Sequence, residues 1–127
     1  GSEAPLTSYD DRSTSPHLRA LHRWFMFYIV YVAIDGTLAT DWVKWMVGGH
    51  IPQILATECF VSASLVRDAD GDGRGRVAYR VVYRSATDED LERYQREHAR
   101  ILQAEHSARY AGAFAARREV LPVVSHF

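Results

Sequence analysis

The chain has 127 residues, 47% hydrophobic, 24% charged and 12% aromatic; this suffices for one packed core, is too little for two ordinary domains, and excludes a disordered or low-complexity polymer. Fifteen Lys and Arg against sixteen Asp and Glu leave a formal charge of -1, so neither nucleic acid nor an anionic membrane is an expected partner. The one cysteine, Cys59, excludes an internal disulfide and a multi-cysteine metal knuckle, and fits a cytoplasmic protein.

Gly1 and Ser2 read as the remnant of an expression tag, and residues 1–23 as that remnant plus an N-terminal arm. Ser15 and Pro16 offer an N-cap and a first helical position, and Leu18 and Leu21 an apolar side, so a short arm helix is expected over Pro16–Arg23. The domain proper is expected over residues 24–127. Trp24 to Ile34 is unbroken apolar sequence, too short to cross a membrane and rich in Phe, Tyr, Val and Ile, which predicts a buried strand. Thr40 is expected to cap a helix with Trp42, Trp45 and Met46 inside; Gly48-Gly49 should weaken or end it, and Pro52 should restart it. Cys59 to Arg67 alternates as a strand, with Cys59, Val61, Ala63 and Leu65 on the apolar side. The run Asp68 to Arg76 is a glycine-rich connection, and Val77 to Arg84 returns as the second arm of a hairpin. Thr87 caps a long helix with Leu91, Tyr94, His98, Ile101, Leu102 and Glu105 at helical spacing, supported outside by Glu89 with Arg93 and Glu92 with Arg96. Phe114 to Val124 is the last strand, with Pro122 at an edge.

Strand, helix, strand, strand, helix, strand is the ferredoxin-like βαββαβ order: an α+β sandwich of a four-stranded antiparallel sheet with helices on one face. The first strand is nevertheless apolar on both faces, Phe25, Phe27, Ile29 and Tyr31 against Met26, Tyr28, Val30 and Val32. A homodimer through the open sheet face would cover the second one.

The block Trp42-Val-Lys-Trp45-Met46, His50-Ile51-Pro52-Gln53-Ile54-Leu55-Ala56-Thr57, Cys59-Phe60, with the later Leu91, Tyr94, His98, Leu102 and Phe114, resembles a small bacterial family known as domain of unknown function 4286. The match covers roughly Phe25 to Leu121; Glu58 departs from it, standing where the motif has glycine, and the N-terminal arm is not part of it. The resemblance implies a dimeric α+β barrel built from ferredoxin-like protomers, with a cavity between the sheet and helices of each. Its wider superfamily includes cofactor-free monooxygenases, cyclases, isomerases and haem enzymes, so chemistry does not follow from fold.

Asp68, Asp70 and Asp72 before Gly73 match half a calcium loop, but Tyr79 stands where a bidentate Glu is required and the flanks are strands, so a solvated turn is expected and no metal site. His98 and His106 are eight residues apart, about 12 Å along a helix, and cannot chelate one metal. His50 and His98 are the candidate acid and base, predicted to approach one cavity from different helices, with Tyr94 or Tyr83 as hydrogen-bond donor. Trp42, Trp45, Met46 and Tyr79 are candidate ligand contacts, with core packing as the plainer reading of each. Arg80 and Arg84 read as structural, with Glu119 as a counter-charge. Two classes follow: an enzyme moving protons during cyclisation, isomerisation or cofactor-free oxidation of a small apolar metabolite, or a non-catalytic binding or assembly module. No cofactor is expected; haem held by His98 is a further alternative, implied by the resemblance alone.

Overall fold

The computed structural model describes residues 25–68, 71 and 73–127. The expected arm helix over Pro16–Arg23, Leu18, Leu21 and Trp24, and the hairpin residues Asp70 and Asp72, lie outside them. Strand β1 spans Met26–Asp35, β2 Ser62–Arg67, β3 Arg76–Ser85 and β4 Phe114–Pro122. They form one sheet in the order β2-β3-β1-β4, every pair antiparallel. Helices α1 (Ala39–Trp45) and α2 (Ile51–Leu55) follow β1, and α3 (Asp88–Glu97) and α4 (Ala99–Tyr110) follow β3. This is the ferredoxin-like α+β sandwich that the element order predicts.

The sheet's inner face is set by register. Met26, Tyr28, Val32 and Ile34 of β1 are buried, and the residues opposite Tyr28 and Val30 on β3, Tyr83 and Val81, are buried with them. Trp42, Met46, Ile54, Leu91, Tyr94 and Leu102 close the core from the helical layer. Tyr28, Phe60, Tyr83 and Tyr94 make its aromatic centre, with ring centroids 4.8 to 6.0 Å apart, a range in which tilted and edge contacts are favourable.

Several local expectations are corrected. Thr40 is inside α1, not its cap; the chain leaves β1 through a turn in which Thr37 N and Oγ1 donate to Asp35 Oδ1 at 2.9 and 2.7 Å. Gly48-Gly49 does not end the helix: Met46–His50 forms a widened π turn, and the run continues into α2. Cys59 and Phe60 precede β2 and are both buried, whereas Val61 is exposed, because the pleat begins only at Ser62. Glu58 has φ 64°, the left-handed region that suits a glycine, and Arg93 donates to the carbonyls of Thr57 and Glu58 from α3. Arg93 also pairs with Asp90 at 3.6 Å in place of Glu89, and Arg96 lies 3.2 Å from Glu97. Thr87 is a cap as expected, accepting from Asp90 N at 3.1 Å.

The second long helix is two helices. His98 has φ -127° and ψ -32°, outside helical values, and divides α3 from α4. The inward stripe slips by one residue there: Leu91 and Tyr94 are followed by Ala99, Leu102, His106 and Tyr110, leaving Ile101 65% exposed and Glu105 at the surface. Strand β4 ends at Pro122 on the sheet edge, two residues before the expected end.

Candidate functional site

Between the sheet and the helices lies a cavity of about 30 Å³, lined by residues from three strands, the π turn and three helices. Its floor is aliphatic and aromatic: Val30 and Val32 from β1, Val81 from β3, with the rings of Tyr28 and Tyr83. The π turn places Met46 and His50 over it, α3 adds Tyr94, and α4 adds Gln103 and His106. Arg118 stands at the exposed rim, because Phe114, Ala116, Arg118 and Val120 share the inward face of β4. The volume as it stands holds about two waters.

His50 and His106 face each other with ring centroids 5.9 Å apart, and both are more than nine-tenths buried. Trp42 Nε1 donates to His106 Nε2 at 2.9 Å, which leaves the neutral ring's proton on Nδ1. His50 stacks on Trp45 at 4.6 Å, and its Nδ1 is buried without a hydrogen-bond partner. Burial first, and the neighbouring His106 second, pull His50 down to about 4. Burial first, and the Arg118 charge second, pull His106 down to about 4. Both rings are therefore uncharged at neutral pH. Burial also pushes the Tyr83 and Tyr94 phenols well above their ordinary range, helped by neighbouring tyrosines, so both remain protonated.

Of the eight residues singled out by sequence, His50, Tyr83, Tyr94 and Met46 meet in this cavity. Trp42 is fully buried behind it, holding His106, and Trp45 backs His50. Tyr79 packs on Trp42 at 4.9 Å, away from the lining. His98 is not among the lining residues: the break between α3 and α4 turns it aside, a third of its side chain is exposed, and it lies 3.9 Å from Glu97. Sequence reading missed His106, Gln103 and Arg118 as site residues. The alternation of apolar Phe114, Ala116 and Val120 was the available signal for Arg118; His106 needed the slip at His98.

His98 does not fit the role of a haem ligand in this cavity: it lies outside the lining, and His106 Nε2 accepts from Trp42. Among the described residues no group of three or more His, Cys, Asp or Glu is placed to hold a metal ion, and no helix is long and apolar enough to cross a membrane.

The chain is similar in fold to SnoaB, a cofactor-independent oxygenase from Streptomyces nogalater, with TM-score 0.60 and 11% identity over 81% of this chain and 96% of that one. A putative antibiotic biosynthesis monooxygenase from Bacillus cereus has TM-score 0.57 and 17% identity, over 82% and 97%. The haem degrader MhuD from Mycobacterium tuberculosis, solved with two haems bound in its active site, has TM-score 0.55 and 18% identity, over 80% and 98%. No curated protein matches the chain. These identities establish the shared fold alone, and the oxygenases and the haem degrader among the neighbours differ in chemistry. At the level of sequence the assignment is direct: residues 25–124 match the domain of unknown function DUF4286, and the chain belongs to that family.

Proposed function

We propose that the cavity between sheet and helices is the ligand site of a small-molecule enzyme that moves a proton without a resident cofactor, in a cyclisation, isomerisation or oxidation of an enolisable substrate. One observation carries this reading: an uncharged His50, its Nδ1 unpartnered, shares an apolar cavity with the protonated phenols of Tyr83 and Tyr94. The imidazole is the acceptor for a proton next to a carbonyl, and a phenol is the donor to the developing enolate oxygen. Water exclusion strengthens both interactions. His106, held by Trp42, fixes the wall beside the base.

The small volume favours a second reading, a non-catalytic binding module using the same cavity. The two separate on an enolisable probe. With 2-tetralone in D2O, wild-type protein is expected to accelerate loss of the α-proton signal in NMR, and His50→Gln to reduce that rate by about 10²-fold or more. Saturable binding without acceleration leaves the binding module; neither binding nor acceleration removes both.

Two further parts of the proposal concern organisation. Residues 24–127 form one domain preceded by the arm 1–23, and two copies associate through the open sheet face. The apolar Phe27, Ile29 and Tyr31 on that face, opposite the described helical layer, support the association. A cytoplasmic location is supported by the unpaired Cys59.

A further inference from the structure

We propose that the cavity selects an apolar ligand bearing one anionic group, a carboxylate or an ionised enol or phenol, and that Arg118 is the residue that recognises it. This rests on the reading of the cavity as a ligand site. The charge inventory carries the inference. Among the described residues that line the cavity there is no Asp, Glu or Lys, and Arg118 is the one arginine. Its guanidinium forms no ion pair with a carboxylate among the described residues, unlike Arg80 with Asp68, Arg93 with Asp90 and Arg109 with Asp41.

Position makes that charge usable. Arg118 is paired in register with Val30, on the face of β4 that looks into the cavity, and its charge acts on His106, Tyr83 and Tyr94 together. Arg117, one residue earlier, is on the opposite face and lies 3.7 Å over the Tyr31 ring. At the exposed rim Arg118 keeps its water while the cavity is empty, so holding an unpaired cation there costs little. A ligand whose apolar body lies among Val30, Val81 and Ile54 brings its acidic group to the one cation present. A cationic ligand meets repulsion and no carboxylate. A dianion would force a second charge into the apolar interior.

The test is a comparison of 2-naphthoate with 2-naphthamide, which share a ring system and differ in charge. Dissociation constants are measured by titration calorimetry for wild type, Arg118→Gln and, as a control on the other face, Arg117→Gln. A charge-assisted hydrogen bond predicts that wild type binds the acid about tenfold or more tightly than the amide. Arg118→Gln should lose that preference while keeping its affinity for the amide, and Arg117→Gln should retain the preference. Equal binding of the two probes by wild type, or a preference that survives in Arg118→Gln or vanishes in Arg117→Gln, overturns the assignment to Arg118 and leaves the cavity as a ligand site. Failure of wild type to bind either probe overturns both.

Discussion

Two buried histidines make the stability of this protein depend on pH in one direction. His50 and His106 have values of about 4 in the folded chain against 6.5 for an unburied imidazole. Between those limits the unfolded chain binds more protons, so the free energy of unfolding rises with pH. The contribution is intact above about pH 6.5 and is lost progressively as pH falls towards 4, amounting at most to about 3 kcal/mol for either ring. Nothing nearby reverses the sign. The cavity lining brings Arg118 from β4 and Gln103 from α4, with no carboxylate among the described residues, and Asp41 is engaged by Tyr110 and Arg109. Melting temperature should therefore drop between pH 7 and pH 5, a range above most carboxylate titration. His106→Gln keeps an acceptor for the Trp42 indole but cannot titrate, so its melting temperature should fall less steeply over the same range. Equal slopes for the two proteins would show that His106 is not one of the groups responsible.

Gly48 and Gly49 place the weakest stretch of the helical layer directly over the cavity. Each costs a helix about 1 kcal/mol relative to alanine, and a Cβ at either would meet nothing within 4 Å. Packing therefore does not require them. Together with the π turn that carries Met46 and His50, they leave the wall room to yield, as the proposed ligand site requires, since a cavity of about 30 Å³ holds no metabolite as it stands. Gly48→Ala with Gly49→Ala should raise the unfolding free energy by up to about 2 kcal/mol in denaturant titrations. It should also slow 2-naphthoate association measured by stopped-flow fluorescence. A stabilised variant that binds at the wild-type rate would separate the glycines from ligand access. The same elements show what the sequence makes legible. The strands were readable because period-two alternation, β-branched residues and the DGDGRG turn agree with one another, and Thr87 announces the start of α3. The break at His98 was not, since Glu97-His98-Ala99 contains neither proline nor glycine and the stripe runs on in either phase. That slip puts His106, and not His98, beside His50 in the cavity lining. Arg118 was hidden in Ala115-Ala-Arg-Arg-Glu119, where two adjacent arginines look alike until the strand sends them to opposite faces.

The open face of the sheet governs how the whole molecule behaves. Along it, register aligns Leu121, Phe27 and Arg84 in one row, Glu119, Ile29 and Val82 in the next, and Arg117, Tyr31 and Arg80 in a third. The charges are largely satisfied within the protomer: Arg80 meets Asp68 at 2.9 Å, Tyr31 donates to Glu119 at 3.0 Å, and Arg80 and Arg117 lie on either side of the Tyr31 ring. Glu119 thus accepts from Tyr31 and also acts as a counter-charge on Arg80, as the sequence suggested for that arginine. Arg84 lies over Phe25 at 4.5 Å with its Nε buried and unpartnered, while Leu121 is 43% exposed. A second sheet laid on this face would bury the apolar rows while the paired charges remained neutralised, the condition under which an interface of charged and aromatic residues is tolerable. Symmetry doubles any change made there. Leu121→Asp should be harmless to an isolated protomer, because the position is on an edge strand and substantially exposed, but in a dimer it would desolvate two carboxylates at several kcal/mol each. Light scattering at micromolar concentration should give wild type near twice 14.4 kDa and Leu121→Asp near 14.4 kDa, with circular dichroism unchanged. A wild-type mass of 14.4 kDa would mean that no second copy covers this face.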